Sequence, residues 1–172
     1  MASHKIDEKG VLLSCTACGQ RNRLSWQRIN ELGRCASCKK ALARPSLPLE
    51  VASPGQFSSM LASSALPVLV DFWAPWCGPC LSMAPAFEAA AARLEPHMRL
   101  ARLNVDEATA VASRYRIQSI PTLCLFRAGK EVDRRSGAMT AGAIVGEVAL
   151  YLGIKRSADV IVETPSIALR LD

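Results

Sequence analysis

The sequence predicts a mixed α/β domain, in which helices flank a central sheet, preceded by a small module built on four cysteines. Three observations support this prediction. Strand-like and helix-like segments alternate from about residue 47 to residue 153. Two Cys-x-x-Cys pairs lie in a polar N-terminal segment, and a third pair lies at the start of a helix-like segment inside the alternating region. Half of the 172 residues are apolar and 21% are charged, which is an ordinary globular composition.

We expect the alternating region to have the element order β-α-β-α-β-α-β-β-α. The segment 43–55 contains three prolines and predicts a linker that runs into a short edge strand. Residues 67–74 (PVLVDFWA) form a nearly continuous apolar run, which suits a strand buried on both faces. The later segments predict, in order, a helix over 80–94 with a kink at Pro85, a strand over 98–106 and a helix over 107–116. A hairpin over 122–137, turning at Ala128 and Gly129, and a closing helix over 140–153, ending at Gly153, are predicted to follow.

The net charge of +6 lies entirely in the N-terminal part. Residues 1–44 hold nine Lys and Arg against three Asp and Glu, whereas residues 45–172 hold twelve of each sign. Such a basic segment can contact nucleic acid or an acidic partner. It holds a single aromatic residue, Trp26, and no basic helix stripe. We therefore favour a solvated surface and do not expect a nucleic-acid partner.

No apolar run approaches the roughly 18 residues that a membrane-spanning helix needs, so we expect no membrane association. The first ten residues lack the apolar core of a secretory signal, which predicts a cytoplasmic protein. In that reducing compartment, the seven cysteines are more often metal ligands or catalytic thiols than structural disulfides.

The motif WCGPC lies where the buried strand gives way to a helix. Cys77 therefore falls at a helix N-terminus, where unpaired backbone N–H groups and the helix dipole stabilise a thiolate. Cys80 lies one turn further on and can attack a mixed disulfide formed at Cys77. Gly78 and Pro79 suit the tight turn and the helix start, and Trp76 offers a flat apolar surface beside the nucleophile. The pattern predicts a redox site.

Two further features support a redox site. Asp71 lies inside the apolar run, where burial raises the pKa of a carboxyl group and makes it a proton acceptor for Cys80. The alternative is that Asp71 lies at the strand end and reaches solvent. Pro121 comes just before a buried strand, so we expect a cis Ile120–Pro121 bond in a tight turn, with the Ile120 backbone facing outward to pair with an extended substrate.

These pieces together resemble the thioredoxin family. The matching segments, within about residues 47–153, are DFWAPWCGPC, LNVD (103–106), IPTL (120–123), FRAGKEV (126–132) and SGA (136–138). The resemblance implies a thioredoxin fold, with Cys77 as the exposed nucleophile and Cys80 as the buried resolving thiol. It also implies Asp71 as a buried acid near Cys80 and Pro121 as a cis proline beside the pair. The substrate groove would be bordered by Trp76, Gly78, Pro79, Ile120 and Gly137.

The resemblance implies a protein-disulfide reductase, because the CGPC spacer is that of the reducing members of the superfamily. Its partners would be a flavin- and NADPH-dependent thioredoxin reductase, as electron donor, and client proteins that contain disulfides. We expect a monomer with no bound organic cofactor. One departure is Arg102, where many relatives have lysine. Because an arginine stays charged, we do not expect a titrating neighbour to tune Asp71.

The pairs CTAC and CASC, with sixteen residues between them, fit the four-cysteine zinc pattern. Their thiolates would converge in a tetrahedron around one structural Zn²⁺, with Gly19 and Lys39 completing the turn after each pair. The four ligands would be Cys15, Cys18, Cys35 and Cys38. A segment of about 40 residues with few apolar side chains gains the folding free energy it lacks from metal binding. The competing interpretation is two further redox pairs, but neither has the buried strand or helix start that Cys77 has.

With NRLSWQRI (22–29) following the first pair, the combination resembles the zinc-ribbon-containing bacterial thioredoxins, the thioredoxin 2 type. We therefore expect a zinc-ribbon module over 1–44, a thioredoxin domain over 45–153 and a C-terminal extension of unknown role over 154–172. In that extension, DVIV and SIALRLD alternate enough to suggest strands, and one hypothesis is that they add to an exposed sheet edge of this chain or of a partner, but we favour a mobile or loosely docked extension. We expect Cys124 to be a core residue, and His4 and His97 to be surface residues.

Three functions of different classes are consistent with these motifs. The first is reduction of protein disulfides through Cys77 and Cys80. The second is a redox-sensing zinc protein or holdase, in which oxidation of the four N-terminal cysteines ejects zinc and exposes apolar surface. The third is a nucleic-acid-binding ribbon that carries the α/β domain as a passenger. We favour the first.

Overall fold

The computed structural model describes residues 3–153 of the chain. Its N-terminal part contains β1 (His4–Asp7), β2 (Gly10–Ser14), β3 (Arg21–Ser25) and a 3₁₀ helix (Trp26–Arg28). The remainder contains β4 (Leu49–Val51), α1 (Pro54–Ser63), β5 (Val68–Trp73), α2 (Gly78–Leu94), β6 (Arg99–Asn104), α3 (Thr109–Arg114), β7 (Thr122–Arg127), β8 (Lys130–Ser136) and α4 (Ala141–Leu152). The predicted order β-α-β-α-β-α-β-β-α is confirmed from β4 onward. The predicted tail strands lie outside the described residues.

Local sequence signals account for where several elements begin and end. The Ser53 hydroxyl accepts a hydrogen bond from the Gln56 N–H at the start of α1, and Thr140 caps α4 through the Ala143 N–H in the same way. Helix α4 ends at Gly153, which has a left-handed φ of 64°. Helix α2 continues through Pro85, which lies inside it.

The hairpin between β7 and β8 turns where the sequence predicts. Arg127 pairs with Lys130, which leaves Ala128 and Gly129 as a two-residue turn. Both turn residues have positive φ, at 49° and 77°. Positive φ at both positions is the requirement of the tight turns that match strand twist. Glycine meets that requirement without strain, whereas alanine does not.

The strands form one eight-stranded sheet in the order β3-β2-β1-β4-β6-β5-β7-β8. Strands β4, β6 and β5 are parallel to one another, and β7 and β8 are antiparallel additions at one end. At the other end, β1 pairs in parallel with β4 and continues into the antiparallel strands β2 and β3. The N-terminal part therefore extends the central sheet and does not form a separate layer.

The prediction that β4 is an edge strand is wrong. His4 pairs with Leu49 and Lys5 pairs with Glu50, so β1 occupies the edge that β4 would otherwise expose. The His4 N–H also donates to the Pro48 carbonyl, which extends the pairing into the preceding proline-rich segment. The misprediction has a clear cause, because parallel pairing between distant segments leaves no local signal in either strand.

Helices cover both faces of the central strands. One face packs against α1 and α3 through an aromatic group formed by Phe57, Phe72, Tyr115 and Phe126, with ring centroids 5.3–6.5 Å apart. The other face packs against α2 and α4, which contribute Met83, Phe87, Ile144 and Val148. Burial on both faces explains why β5 is apolar along almost its whole length. Among residues 3–153, no helix is both long and apolar enough to cross a membrane.

The buried side chain of Arg99 links the N-terminal part to this core through a hydrogen bond and an ion pair. Arg99, at the start of β6, is only 2% exposed. Its guanidinium donates to the Ile29 carbonyl at 2.6 Å and forms an ion pair with Glu95. Glu95 also pairs with Arg44 at 3.5 Å. These contacts bind the end of the 3₁₀ helix region to the C-terminal end of α2.

Two histidine predictions have different outcomes. His97 is exposed, as predicted. His4 is only partly exposed, and its Nε2 is buried without a hydrogen-bond partner among the described residues, because β1 is inside the sheet. Cys124 is fully buried in β7, which confirms it as a core residue.

Candidate functional site

Strand β5 and helix α2 meet at the Cys-x-x-Cys motif, and the two cysteines are joined by a disulfide. Cys77 is the N-cap of α2 and its sulfur accepts a hydrogen bond from the Cys80 N–H at 3.2 Å. The helix start thus directs a backbone N–H at the sulfur of Cys77, as the sequence predicts. After reduction, the same N–H and the helix dipole would stabilise a thiolate there.

Cys77 is less exposed than the sequence predicts. In this disulfide form Cys77 is 4% exposed and Cys80 is fully buried. The reason is local packing, because Ala74 and the partly buried Val105 and Ile120 surround the pair. Cys77 nevertheless remains the more accessible of the two sulfur-bearing residues, which agrees with the expected order of attack.

The turn before β7 closes over the cysteine pair. The Ile120–Pro121 peptide bond is cis, as predicted. The Ile120 carbonyl oxygen lies 3.7 Å from the Cys77 sulfur. Gly137, with a φ of 97°, donates its N–H to the Pro121 carbonyl at 2.8 Å and so joins the end of β8 to this turn.

A groove runs beside the disulfide between Trp76 and Ile120. Its volume is about 700 Å³, and side chains of α3 and the following loop, among them Ala112 and Ile117, line it. Trp76 is 70% exposed, which is unusual for so large an apolar side chain. Its indole N–H donates to Asp106 at 2.8 Å, so the ring is held in place while its face stays open to solvent. Gly78, Pro79 and Gly137 are exposed, but they are not among the residues that line this groove.

Asp71 lies in β5 and is fully buried, so the alternative of a solvent-exposed strand end is wrong. Burial raises the pKa of its carboxyl group to about 6, although the charge of Arg102 and its hydrogen bond oppose the rise. Arg102 Nε lies 3.3 Å from one carboxylate oxygen, Oδ2. The other, Oδ1, has no hydrogen-bond partner among the described residues. A carboxyl group in this state can exchange a proton near neutral pH.

The four N-terminal cysteines converge at the far end of the sheet. Their sulfur atoms all lie within 4.8 Å of one another. Two pairs are closer, since Cys15 and Cys38 are 3.6 Å apart and Cys18 and Cys35 are also 3.6 Å apart. Zn–S bonds of about 2.3 Å in a tetrahedron require sulfur atoms about 3.8 Å apart. The two closer pairs match this spacing and no pair exceeds 4.8 Å, so the cluster could hold a tetrahedrally coordinated metal ion.

The two halves of the cluster are built alike. The N–H of Gly19 donates to the Cys15 carbonyl at 2.8 Å, and the N–H of Lys39 donates to the Cys35 carbonyl at 3.0 Å. Both donors have positive φ, at 73° and 62°, so each turns the chain back after its cysteine pair. These are the positions at which the sequence predicts the turns. The side-chain N–H of Asn22 also donates to Cys35 Sγ at 3.7 Å, and its side-chain oxygen accepts a hydrogen bond from a backbone N–H of the second turn.

Local electrostatics favour thiolates at two positions of the cluster. Backbone N–H groups, chiefly that of Ala17, lower the pKa of Cys15. Backbone N–H groups, chiefly that of Cys38, lower the pKa of Cys35 to about 6. The pKa of Cys38 is raised to about 11, because desolvation and the other three sulfurs outweigh the lowering by the Lys40 N–H. Four thiolates so close together need a cation to neutralise their charge.

Comparison with known proteins decides the family. The thioredoxin family profile matches residues 48–149, which is more than half of the chain. The chain belongs to the thioredoxin family. Thioredoxin C-3 of Corynebacterium nephridii is 36% identical over 129 residues, which cover 75% of this chain and 87% of that protein. A thioredoxin of Synechocystis is 42% identical over 100 residues, or 58% of this chain and 94% of that protein.

Comparison with a solved thioredoxin structure also shows a thioredoxin fold. A mutant thioredoxin from Halobacterium salinarum NRC-1 superposes with a TM-score of 0.57 at 33% identity, over 63% of this chain and 94% of that one. The chain thus has a thioredoxin fold, together with an N-terminal four-cysteine cluster that could hold a metal ion. Thioredoxins are protein-disulfide reductases, and this chain is a thiol-disulfide oxidoreductase of that class.

The sequence does not predict several contributors to the thioredoxin site and to the four-cysteine cluster. Asp106 fixes Trp76, yet the LNVD segment that contains it predicts only a strand end. Asn22 was missed because a polar residue in an exposed strand carries no signal of its own. Arg102 was noticed as a departure from lysine, but its direct contact with Asp71 follows only from the register of β5 and β6.

Proposed function

We propose that this protein reduces disulfides in client proteins through Cys77 and Cys80. The Cys77 thiolate attacks a client disulfide, a new disulfide joins Cys77 to the client, and the displaced client sulfur takes up a proton. Cys80 then loses its proton and attacks the Cys77 sulfur, which forms the internal disulfide and releases the second client sulfur as a thiol. Two electrons pass from the cysteine pair to the client, and the two client sulfurs take up one proton released by Cys80 and one from solvent, because Cys77 reacts as a thiolate.

The observation that supports this function most directly is the placing of Cys77. It combines a helix N-terminus, an N–H directed at the sulfur, and an open groove beside it. We assign Asp71 the role of accepting the proton of Cys80, since its buried carboxyl group titrates near neutral pH.

We assign the groove to the client chain. Trp76 would pack on apolar client side chains, and the backbone of Ile120 would pair with an extended client segment beside Pro121. Gly78, Pro79 and Gly137 would border the client chain, since side chains there are small or absent and the surface is exposed. An NADPH-dependent thioredoxin reductase would regenerate the dithiol.

We further propose that Cys15, Cys18, Cys35 and Cys38 hold one structural Zn²⁺. The supporting observations are the sulfur spacing and the paired turns. When bound, the ion would neutralise the four thiolates and stabilise the N-terminal part, whose buried side chains share one hydrophobic cluster with the central sheet. We also propose that the protein is a zinc-ribbon thioredoxin of the thioredoxin 2 type, with a ribbon over 1–44, a thioredoxin domain over 45–153 and an extension over 154–172. We propose a cytoplasmic monomer.

Insulin reduction tests the redox proposal. Cys77→Ser should abolish turnover with NADPH and thioredoxin reductase, and Cys80→Ser should accumulate a mixed disulfide that dithiothreitol releases. Cys124→Ser is the matched control, because it removes a buried thiol outside the pair. Turnover that persists in Cys77→Ser would refute the assignment.

Metal analysis with thiol counting tests the zinc proposal. We expect one zinc per chain and four thiols protected from alkylation, with two further thiols appearing on reduction. A metal-free protein whose four N-terminal thiols react freely would contradict it.

A second candidate function is a redox-sensing zinc protein or holdase. The observation in its favour is that Cys18 and Cys38 are exposed, so an oxidant can reach the cluster. Zinc release under mild peroxide, accompanied by suppressed aggregation of a denatured client, would support this function. Retention of zinc under those conditions would exclude it.

A further inference from the structure

Four charged residues stand side by side across four neighbouring strands. In the sheet register, Lys5 of β1 pairs with Glu50 of β4, Glu50 with Arg102 of β6, and Arg102 with Asp71 of β5. Directly paired residues project from the same face of a sheet. Lys5, Glu50, Arg102 and Asp71 therefore form a charge row with alternating signs, running from the N-terminal strand to the buried carboxyl group.

The charge row passes from solvent into the core. The side chains of Lys5 and Glu50 are 74% and 44% exposed, whereas those of Arg102 and Asp71 are 5% and 0% exposed. Lys5 Nζ forms an ion pair with Glu50 Oε2, and the Ser3 hydroxyl donates to the same oxygen at 3.1 Å. At the inner end, Arg102 Nε lies 3.3 Å from Asp71 Oδ2, and its guanidinium lies 4.3 Å from the centre of the Trp73 ring.

The middle of the row is also coupled electrostatically. The pKa of Glu50 is lowered first by its hydrogen bond from Lys5 and further, with other contributions, by the charge of Arg102. Arg102 therefore lies between two carboxylates, one buried and one at the surface. By Coulomb's law the Glu50 carboxylate repels the Asp71 carboxylate, whereas the Arg102 guanidinium between them attracts both.

We propose that Glu50 is a positioning residue for the redox site, whose negative charge acts along the charge row against the stabilisation that Arg102 gives to the Asp71 carboxylate. Lys5, supplied by the N-terminal strand, partly neutralises Glu50 and moderates this effect. The N-terminal part thereby contributes to the proton affinity of the Asp71 carboxyl group, although its four-cysteine cluster lies elsewhere in the molecule. The importance of this effect for turnover rests on the proposed role of Asp71 in deprotonating Cys80.

The neighbours of Asp71 fix the expected signs. Arg102 faces it from β6 and Cys80 belongs to the covering helix α2. On the other side its partner in β7 is the uncharged Leu123, beyond which Arg135 of β8 is engaged by Asp133 and Glu147. Removing the Glu50 charge removes a repulsion on the Asp71 carboxylate, so the Asp71 pKa should fall. Removing the Lys5 charge should raise it slightly.

The experiment is a pH titration of the Asp71 carboxyl carbon by NMR in the full-length oxidised protein. Strands lie about 4.8 Å apart, so Glu50 lies about 10 Å from Asp71. At that distance and an effective dielectric constant of about 20, the repulsion between the two carboxylates raises the Asp71 pKa by about 1. The effect is smaller in the protein, because Glu50 is partly exposed to solvent. We expect Glu50→Gln to lower the Asp71 pKa by about 0.5 and Lys5→Gln to raise it by less than about 0.2.

Glu31→Gln is the matched control, because it removes the same charge from an exposed ribbon glutamate outside the row. It should leave the Asp71 pKa unchanged. No downward shift in Glu50→Gln, or an equal shift in Glu31→Gln, would overturn the proposal. Combining Glu50→Gln with Arg102→Gln tests the route: an effect of the Glu50 charge through space should persist in the Arg102→Gln background, and its loss there would overturn the proposal.

This titration separates the inference from the proposed function. If Asp71→Asn keeps full insulin-reducing activity, the role of Asp71 fails. The effect of Glu50 on the Asp71 pKa would still be measured independently in the oxidised protein, where no client takes part.

Discussion

Replacing Asp71 by Asn should stabilise the folded protein, and the gain should depend on pH. The carboxyl group is fully buried and its pKa is raised from 3.8 to about 6, mainly by desolvation. The folded state therefore binds this proton more tightly than the unfolded chain does. The stability provided by the protonated form is fully present below pH 3.8 and is lost as the pH rises through about 6.

The size of the effect follows from the two pKa values. At about pH 7.5 the ionised carboxylate lowers the free energy of unfolding by about 3 kcal/mol, and at about pH 4.5 by about 1 kcal/mol. Asparagine has nearly the same shape and cannot ionise, so Asp71→Asn should remove this cost. The stability difference between the variant and the parent protein should grow by about 2 kcal/mol between these pH values.

Urea unfolding of the oxidised protein at both pH values measures this difference. Asp133→Asn is the control, because it removes a partly exposed carboxylate paired with Arg135. A stability difference that does not change with pH, or a variant less stable than the parent protein at about pH 7.5, would show that Asp71 is not held in a destabilising charged state.

Three further outcomes follow from the contacts. Trp76→Ala should raise KM for insulin about fivefold with little change in kcat, since its exposed face serves client binding; steady-state kinetics check this, and an unchanged KM would contradict it. Arg99→Met should lower the free energy of unfolding by about 3 kcal/mol, because Glu95 loses its buried partner and the Ile29 carbonyl loses its donor; urea unfolding measures it, with Arg93→Met as the exposed control. Ala128→Asn should raise the free energy of unfolding by about 0.5–1 kcal/mol, because asparagine tolerates the positive φ of the turn better than alanine does, and a loss of stability would contradict this.

Sequence patterns predict the thioredoxin part of the fold because its signals are local. The buried run ending at Trp73, the glycine at 129 and the glycine at 153 each constrain the backbone within a few residues. The turns at Gly19 and Lys39 are predictable for the same reason. What the sequence does not predict is long-range: the pairing of β1 with β4, the anchoring by Arg99, and the charge row all join segments that are far apart in the chain.

The three Cys-x-x-Cys pairs differ in the direction the backbone takes after the second cysteine. After Cys18 and Cys38 the next residue has positive φ, and its N–H bonds back to the carbonyl of the first cysteine of its pair. Each such pair therefore points both sulfurs outward from one tight turn, towards the other pair. After Cys80 the chain continues as a helix, so the Cys80 N–H points at the Cys77 sulfur and the pair closes on itself. Equal spacing thus gives a metal-binding geometry where the chain reverses and a redox geometry where it goes on into a helix.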